Sequence, residues 1–380
     1  MDGNGVLSRS EGDLTHSCNL DAWLVRTPAG LESQACLEVL MDISLFFIAV
    51  VLGSALMTWV LRQYALRRNI IDIPNARSSH VIPTPRGGGV AIVVIYLLAI
   101  VLLYVAGAID QAAAVSILGA GALVAVIGFM DDHGHIAARW RLLGHFSAAL
   151  WALFWVGGLP SIEVFGWTIN LSWAGYVLGA FYLVWMLNLY NFMDGIDGLA
   201  SIEAICACLG AALIYWLAGS AGYLLVAPLL LAAAVAGFLL WNFPPARIFM
   251  GDAGSGFLGL ILGVLSLQAA WAQSQLLWVW LILLGVFIVD ATFTLFRRLL
   301  RGEKVYEAHR THGYQYASRS AGRHLPVTLT VAAINIVWLF PIALGVGVYG
   351  WNGALCLVLA YVPLIALAYK FKAGTAEPVA

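Results

Sequence analysis

Charge is what this sequence has least of. Of its 380 residues only 10% are Asp, Glu, Lys or Arg, whereas 62% are apolar. Soluble domains run nearer ~25% charged and ~45–50% apolar, and even a large one must wet its outside. A soluble enzyme, a coiled coil, a disordered chain and a nucleic-acid binder with a basic face are therefore excluded. Cysteine is sparse too, with five in all. Cys18 and Cys36 precede the apolar runs, while Cys206, Cys208 and Cys356 lie inside them. No water-facing pair has metal-ligand spacing, so neither a disulfide framework nor a zinc site is indicated. Alternation is also missing. The apolar runs are continuous, which excludes a membrane β-barrel.

What is present is a series of long apolar segments, at about 43–61, 89–107, 112–130, 142–157, 172–190, 200–218, 222–241, 256–272, 276–296, 326–346 and 351–369. Each is close to the ~20 residues that cross the hydrocarbon. The expected fold is an all-α integral membrane protein, a polytopic bundle of about eleven transmembrane helices. Alternating crossings put Arg62, Arg67, Arg68, Arg77, Arg86, Arg139, Arg141, Arg247, Arg297, Arg298, Arg301, Lys304, Arg310, Arg319, Arg323, Lys370 and Lys372 at one end. Those are 17 of the 19 basic residues, and the other two, Arg9 and Arg26, precede the first span. The positive-inside rule makes that end cytoplasmic, with the N-terminus outside and the C-terminus cytoplasmic. Trp173, Trp271, Trp338 and Trp351 suit an interfacial belt. Residues 1–42 read as a polar tail without a signal peptide, 43–370 as the membrane domain and 371–380 as a cytoplasmic tail. Met41, directly before the first span, is an expected alternative start.

Five polar stretches lie at the basic end. Asp72–His80 and Pro83–Gly89 form a proline- and glycine-rich loop, whose Gly87–Gly89 could offer backbone N–H groups to an anion. Asp131 and Asp132, with His135, Arg139 and Arg141 behind them, are two adjacent carboxylates that repel unless a proton or cation intervenes. Asn188–Leu199 holds Asn188 and Asn191 three apart, then Asp194 and Asp197 three apart beside Gly195 and Gly198. It lacks the further ligands of a calcium loop, but suits Mg²⁺ and a polar ligand. Trp241–Gly256 places Asn242, Phe249 and Asp252 in a loop before a helix start. Arg297–Arg323 gathers seven basic residues with His309 and His312. Topology alone accounts for the basic charge, but not for the histidines, which point to a phosphate-bearing substrate. Acids, basic loops and glycines clustered at one membrane face suit metal-assisted phosphate chemistry.

With these residues in hand, the chain resembles the polyprenyl-phosphate N-acetylhexosamine-1-phosphate transferases, glycosyltransferase family 4. That family includes phospho-MurNAc-pentapeptide translocase and the GlcNAc-1-phosphate transferases that initiate O-antigen. The likeness runs from about residue 43 to the C-terminus. It is carried by Asn188–Leu199 (N-x-x-N-x-x-D-G-x-D-G-L), Phe249–Ser255 (F-M-G-D-x-G-S), the paired Asp131–Asp132 and the Asp72–Gly89 loop. His135 stands where the GlcNAc branch has a third aspartate. His309-Arg-Thr-His312 stands where the peptidoglycan enzyme has three histidines. These departures point to the O-antigen-initiating branch, whose sugars are GlcNAc or deoxy relatives such as FucNAc and QuiNAc.

The resemblance implies attack by undecaprenyl phosphate on the sugar-attached phosphorus of a UDP-N-acetylhexosamine, with release of UMP. It implies Mg²⁺, or Mn²⁺, held by Asp252 and by Asp132 directly or through water. Asp131, Asp132, Asp252, His309 and His312 are the implied catalytic set, with Asp131 orienting or deprotonating the attacking phosphate. Asn188, Asn191, Asp194, Asp197 and Asn242 would hold the nucleotide, with Phe249 stacked on uracil. Arg310, Arg139, Arg77 and His80 complete the substrate contacts, Arg139 toward lipid phosphate. Direct attack and a two-step route through an aspartyl-phosphate are both compatible with these residues. The partners are then the UDP-sugar, the polyprenyl phosphate and the bilayer, not nucleic acid, with self-association into a homodimer left open. The alternatives are the peptidoglycan or GlcNAc branch of the same family, and a lipid-linked sugar transporter. Transporters put charge near the midplane and often repeat internally; here the acids flank the spans, and no repeat is seen.

Overall fold

The structure is a computed structural model describing residues 32–74, 79, 82–134, 136–220, 222–303 and 310–376, with side chains from Met41 onward except Asp42. Arg77, His80, His135 and His309 lie outside the described residues. The chain is helical almost throughout: α1 (Glu32–Arg68), α2 (Val90–Val105), α3 (Gln111–His133), α4 (Ala138–Val156), α5 (Ala174–Met193), α6 (Leu199–Leu217) and α7 (Tyr223–Asn242). Then come α8 (Asp252–Ala272), α9 (Gln275–Leu283), α10 (Gly285–Leu300), α11 (Gly313–Ala321), α12 (Leu325–Ile334), α13 (Phe340–Tyr349) and α14 (Gly353–Lys370). Two short hairpins, Ile71–Asp72 with Thr84–Pro85 and Ile162–Val164 with Trp167–Ile169, are the sheet among the described residues.

Each of the eleven apolar segments is helical, but they are not equal spans. Eight helices are long and apolar enough to cross a membrane, or nine if α9 and α10 count as one span bent by 73°. The two left over have physical reasons. α2 is only 16 residues long, and α4 carries Arg139 and Arg141 in its first turn. Helix α1 starts eleven residues before the apolar window, because Glu32–Leu40 is rich in good helix formers. The span Leu325–Tyr349 contains a π-turn at Asn335–Leu339. Pro341, just beyond it, has no N–H to give and disrupts the regular ladder there. Trp338 sits inside this turn, mid-span, and gives its N–H to the Ala360 carbonyl at 3.2 Å, so it is not an interfacial residue as expected. Trp173, Trp271 and Trp351 are exposed near helix ends.

Helix α8 is the axis of the bundle. It is buried from Ala253 to Ala270, as expected of a helix that is apolar all round. α3 and α5 pack along it, so the ends of three helices meet at the basic end, and the chemistry-bearing stretches meet with them. The opposite end is tied separately, with Trp271 and Trp278 giving their indole N–H groups to the carbonyls of Gly158 and Glu163.

Candidate active site

A cleft of about 270 Å³ opens at the basic end, lined by Arg86, Asp132, Asn191, Asp194, Asp197, Asn242, Phe249, Asp252, Ser255, Gln315 and His324 among others. All five polar stretches reach it, the fifth through Gln315. Asp252 is the first residue of α8, after Gly251 in the left-handed region (φ +79°). Asp194 and Asp197 occupy the short link between α5 and α6.

The paired aspartates do not share one environment. Consecutive helical residues point about 100° apart, and α3 turns Asp131 and Asp132 to different sides of Asp252. Asp132 is buried, and its carboxylate accepts the backbone N–H groups of Asp252 (3.2 Å) and Ala253 (3.3 Å). It therefore occupies the anion site at the N-terminus of α8. Arg86 donates to the Asp132 carbonyl, with its Nε 3.9 Å from the carboxylate. Asp131 faces a second, small cavity of about 40 Å³ with Arg141, His145, Asn188, Asn191 and Asp252. Arg141 donates to Asp131 and lies 3.6 Å from Asp252, and the Ile136 N–H donates to Asp131 at 2.9 Å. Asp252 and Asn191 thus form the partition between the two cavities. Asn191 gives a hydrogen bond to Ser255 at 3.1 Å, and its amide side chain stands beside that of Asp252.

Close backbone approach makes this possible. A Cβ on Gly128 would stand 2.5 Å from the Ala253 nitrogen, so the absence of a side chain lets α3 bring Asp132 onto α8. Gly89 is pressed against Gly254 in the same way, at 2.5 Å. The amides of Gly88 and Gly89 are not offered to an anion as expected. They donate to the carbonyls of Phe249 (2.9 Å) and Met250 (2.8 Å), because the two loops run side by side.

Asp197 and Asn242 are committed to the framework more than expected of nucleotide-holding groups. Asn242 is buried, accepts from the Gly198 N–H at 2.9 Å and donates to the Ile248 carbonyl at 3.0 Å. Asp197 accepts from the Ala246 N–H at 3.0 Å and stands 3.1 Å from His324 Nδ1. Burial alone would lower the His324 imidazole. The hydrogen bond and charge of Asp197, with the Ser79 carbonyl, outweigh it and raise it. Asp194 is held up well above the ordinary carboxylate range by burial and then by the negative charges of Asp252, Asp132 and Asp197. Asn188 shares the Asn191 face, as their spacing requires, but spends an amide proton on the Val184 carbonyl at 2.7 Å.

The fifth stretch contributes differently from what its histidines suggest. His312 is buried behind the cleft, 3.3 Å from Asp290 and stacked on Phe192. Asp290 also accepts the Gly313 and Tyr314 N–H groups at 2.9 and 2.8 Å, capping α11. It is Gln315, one turn on, that lines the cleft. Neither Arg310 nor Arg139 lines it, and Arg139 lies over the Trp140 ring. Arg319 and Arg323 line an adjoining cavity of about 490 Å³ that shares Asp197, Phe249 and His324. Arg86, Arg141, Ser255, Gln315 and His324 line these cavities without having been assigned a site role from sequence. Arg86 and Ser255 lie inside the quoted motifs and Arg141 nine residues after Asp132, so each carried a signal; His324 and Gln315 carried none.

Among the described residues no three His, Cys, Asp or Glu side chains are grouped to enclose a metal ion. Asp132, Asp194, Asp197 and Asp252 nevertheless face one cleft, and such a donor set suits Mg²⁺, which takes one or two carboxylates and completes its shell with waters and substrate phosphates.

Residues 114–270 match the model of glycosyl transferase family 4. The chain is 31% identical over 310 residues, 79% of its length and 84% of the relative's, to a probable undecaprenyl-phosphate N-acetylglucosaminyl 1-phosphate transferase of Bacillus subtilis. It is 29% identical over 362 residues, 83% of its length and 86% of the relative's, to a decaprenyl-phosphate N-acetylglucosaminephosphotransferase of Mycolicibacterium smegmatis. Similarity to the phospho-N-acetylmuramoyl-pentapeptide-transferase of Streptococcus pneumoniae covers 217 residues at 28% identity, 54% of this chain and 65% of that one. With the matched segment holding Asp131, Asp132, the α5–α6 link and Asp252, this multi-pass membrane chain belongs to glycosyl transferase family 4, the polyprenyl-phosphate sugar-phosphate transferases.

Proposed function

We propose that the chain transfers an N-acetylhexosamine-1-phosphate from its UDP-sugar to undecaprenyl phosphate, releasing UMP, at the cytoplasmic leaflet of the inner membrane. The product would begin O-antigen or a related surface polysaccharide. The observation that carries this reading is the cleft where Asp132, Asn191, Asp194 and Asp252 meet at the basic end of the bundle. The longer match to GlcNAc-1-phosphate relatives than to the pentapeptide relative also favours it.

Asp252 is the first residue we assign to Mg²⁺. Its neighbours Asp131 and Asn191 leave it at the boundary of both cavities, where nucleotide diphosphate and lipid phosphate can meet. The ion, when bound, offsets the charge of the two anionic substrates. Asp132, already engaged by the amides of α8, would reach the ion through water and hold Asp252 in place. We assign Arg141, rather than Arg139, to the lipid phosphate, because Asp131 fixes its guanidinium beside Asp252. A phosphate monoester has its second pKa near ~6, so little proton abstraction is required, and positioning supplies most of the rate. Asp194 and Gln315, which line the cleft, are assigned to the nucleotide.

The test is purified protein in lipid nanodiscs with undecaprenyl phosphate, Mg²⁺ and a panel of UDP-N-acetylhexosamines. UMP release with one or a few sugars is expected. Absence of release with every sugar overturns the proposal.

A further inference from the structure

Glu203 is an acid that the cleft does not use. It lies in the second turn of α6, wholly buried in the bundle. Its Oε2 accepts a hydrogen bond from Asn335 Nδ2 at 2.6 Å. Asn335 is also buried, and it opens the π-turn between α12 and α13. Among the described residues, two atoms of this pair are buried without a hydrogen-bond partner, Glu203 Oε1 and Asn335 Oδ1. Both are acceptors if Glu203 is ionised. If Glu203 carries a proton on Oε1, the two become donor and acceptor, and the leftover atoms satisfy each other. A carboxylic acid and an amide then form a closed two-bond pair.

The surroundings agree. No cation is ion-paired with Glu203 among the described residues; Cys206, Tyr190 and Tyr361 are near enough to feel its charge, and the Phe287 N–H points toward its carboxyl. The Tyr190 and Tyr361 hydroxyls are already given to the carbonyls of Ala200 and Leu281. An unpaired carboxylate in such a place is costly, and a neutral acid is not.

The pair also has a place in the architecture. Helix α6 begins directly after the Asp197–Gly198 link, and α12 directly after His324. At the cleft, these helices are joined by His324 to Asp197 and by Thr328 Oγ1 donating to the Asp197 carbonyl at 2.9 Å. Deeper in the bundle, Glu203 and Asn335 join them again. We propose that Glu203 is a positioning residue: held as a neutral acid, it pairs with Asn335 across the π-turn and fixes α12 against α6, so that His324 and Thr328 keep Asp197 at the cleft.

The experiment uses full-length protein in nanodiscs near neutral pH. The infrared difference between wild type and Glu203→Gln is expected to show a protonated-carboxyl C=O stretch in wild type only, and Asn335→Leu is expected to shift that band. Glutamine preserves both hydrogen bonds, so Glu203→Gln is expected to retain kcat/KM within about threefold, whereas Glu203→Leu and Asn335→Leu lose about tenfold or more. A wild type without the band overturns the neutral pair. A Glu203→Gln variant as impaired as Glu203→Leu overturns the positioning role, since the charge itself would then be needed. If Glu203→Leu does not fold, the other two variants decide. The activity comparison rests on the transferase reading and the infrared band does not, so failure of one is distinguishable from failure of the other.

Discussion

The Asp132 carboxylate accepts the backbone N–H of Asp252 at 3.2 Å, so one aspartate of the cleft builds the platform on which another stands. The two should therefore fail differently. Asp132→Asn turns an amide NH₂ or a single oxygen toward two N–H groups, and is expected to lower stability by about 1–3 kcal/mol as well as activity. Asp252→Asn removes a like charge from the cleft. It should leave the melting temperature unchanged or higher while cutting UMP release by about two orders of magnitude or more. Melting curves and initial rates for both variants check this; equal destabilisation would contradict the platform role.

Proton and cation should compete at Asp194. Its carboxyl is raised because burial and three neighbouring negative charges disfavour ionisation. A bound divalent cation reverses that balance. The Mg²⁺ concentration giving half-maximal rate should therefore rise as pH falls. Without Mg²⁺ the folded state holds a proton that the unfolded chain gives up near pH ~4. Stability then declines as pH rises from there through the raised Asp194 value, and Mg²⁺ should remove the decline. Rates and melting curves across pH at several Mg²⁺ levels measure both.

His324 has the same sign in a higher window. A histidine raised by its partner stabilises fully below the unfolded value near ~6.5, and that contribution is lost as pH rises through the folded value. Wild type should lose melting temperature across that window, and His324→Gln should flatten the profile. An unchanged profile in the variant would show that the Asp197 pairing contributes nothing.

Gly128→Ala should be among the most damaging small substitutions. Its methyl would meet the Ala253 nitrogen at 2.5 Å, and backbone has nowhere to go. Separation of α3 from α8 breaks both Asp132 contacts. UMP release is expected to fall far more than the same substitution at Gly134, which has open space around it.

How much of this was legible beforehand depended on the range of the contact. The apolar helices, the basic end and the Asp252 position at a helix start follow from local composition and were readable; which segments can span was not, since α2 and α4 fall short where eleven spans were expected. Nor was pairing between distant stretches. Nothing near residue 324 announces a partner at 197, and nothing near 290 announces the amides of 313 and 314. Adjacent Asp131 and Asp132 read as one unit because they are neighbours in sequence, yet the helix sends them to different cavities. The Gly87–Gly89 run looked like an anion cradle because its actual partners, the carbonyls of Phe249 and Met250, lie 161 residues away. His312 looked exposed to substrate because the Asp290 that claims it belongs to another helix.

The ladder between Gly88–Gly89 and Phe249–Met250 bears on how members of this family can be recombined. The two loops are separate in the gene but one object in the fold, welded through main-chain bonds and the Gly89–Gly254 contact. A chimaera that imports one loop from a relative brings half a joint. Importing both together preserves the seam, so substrate preference should travel with the pair and not with either loop alone.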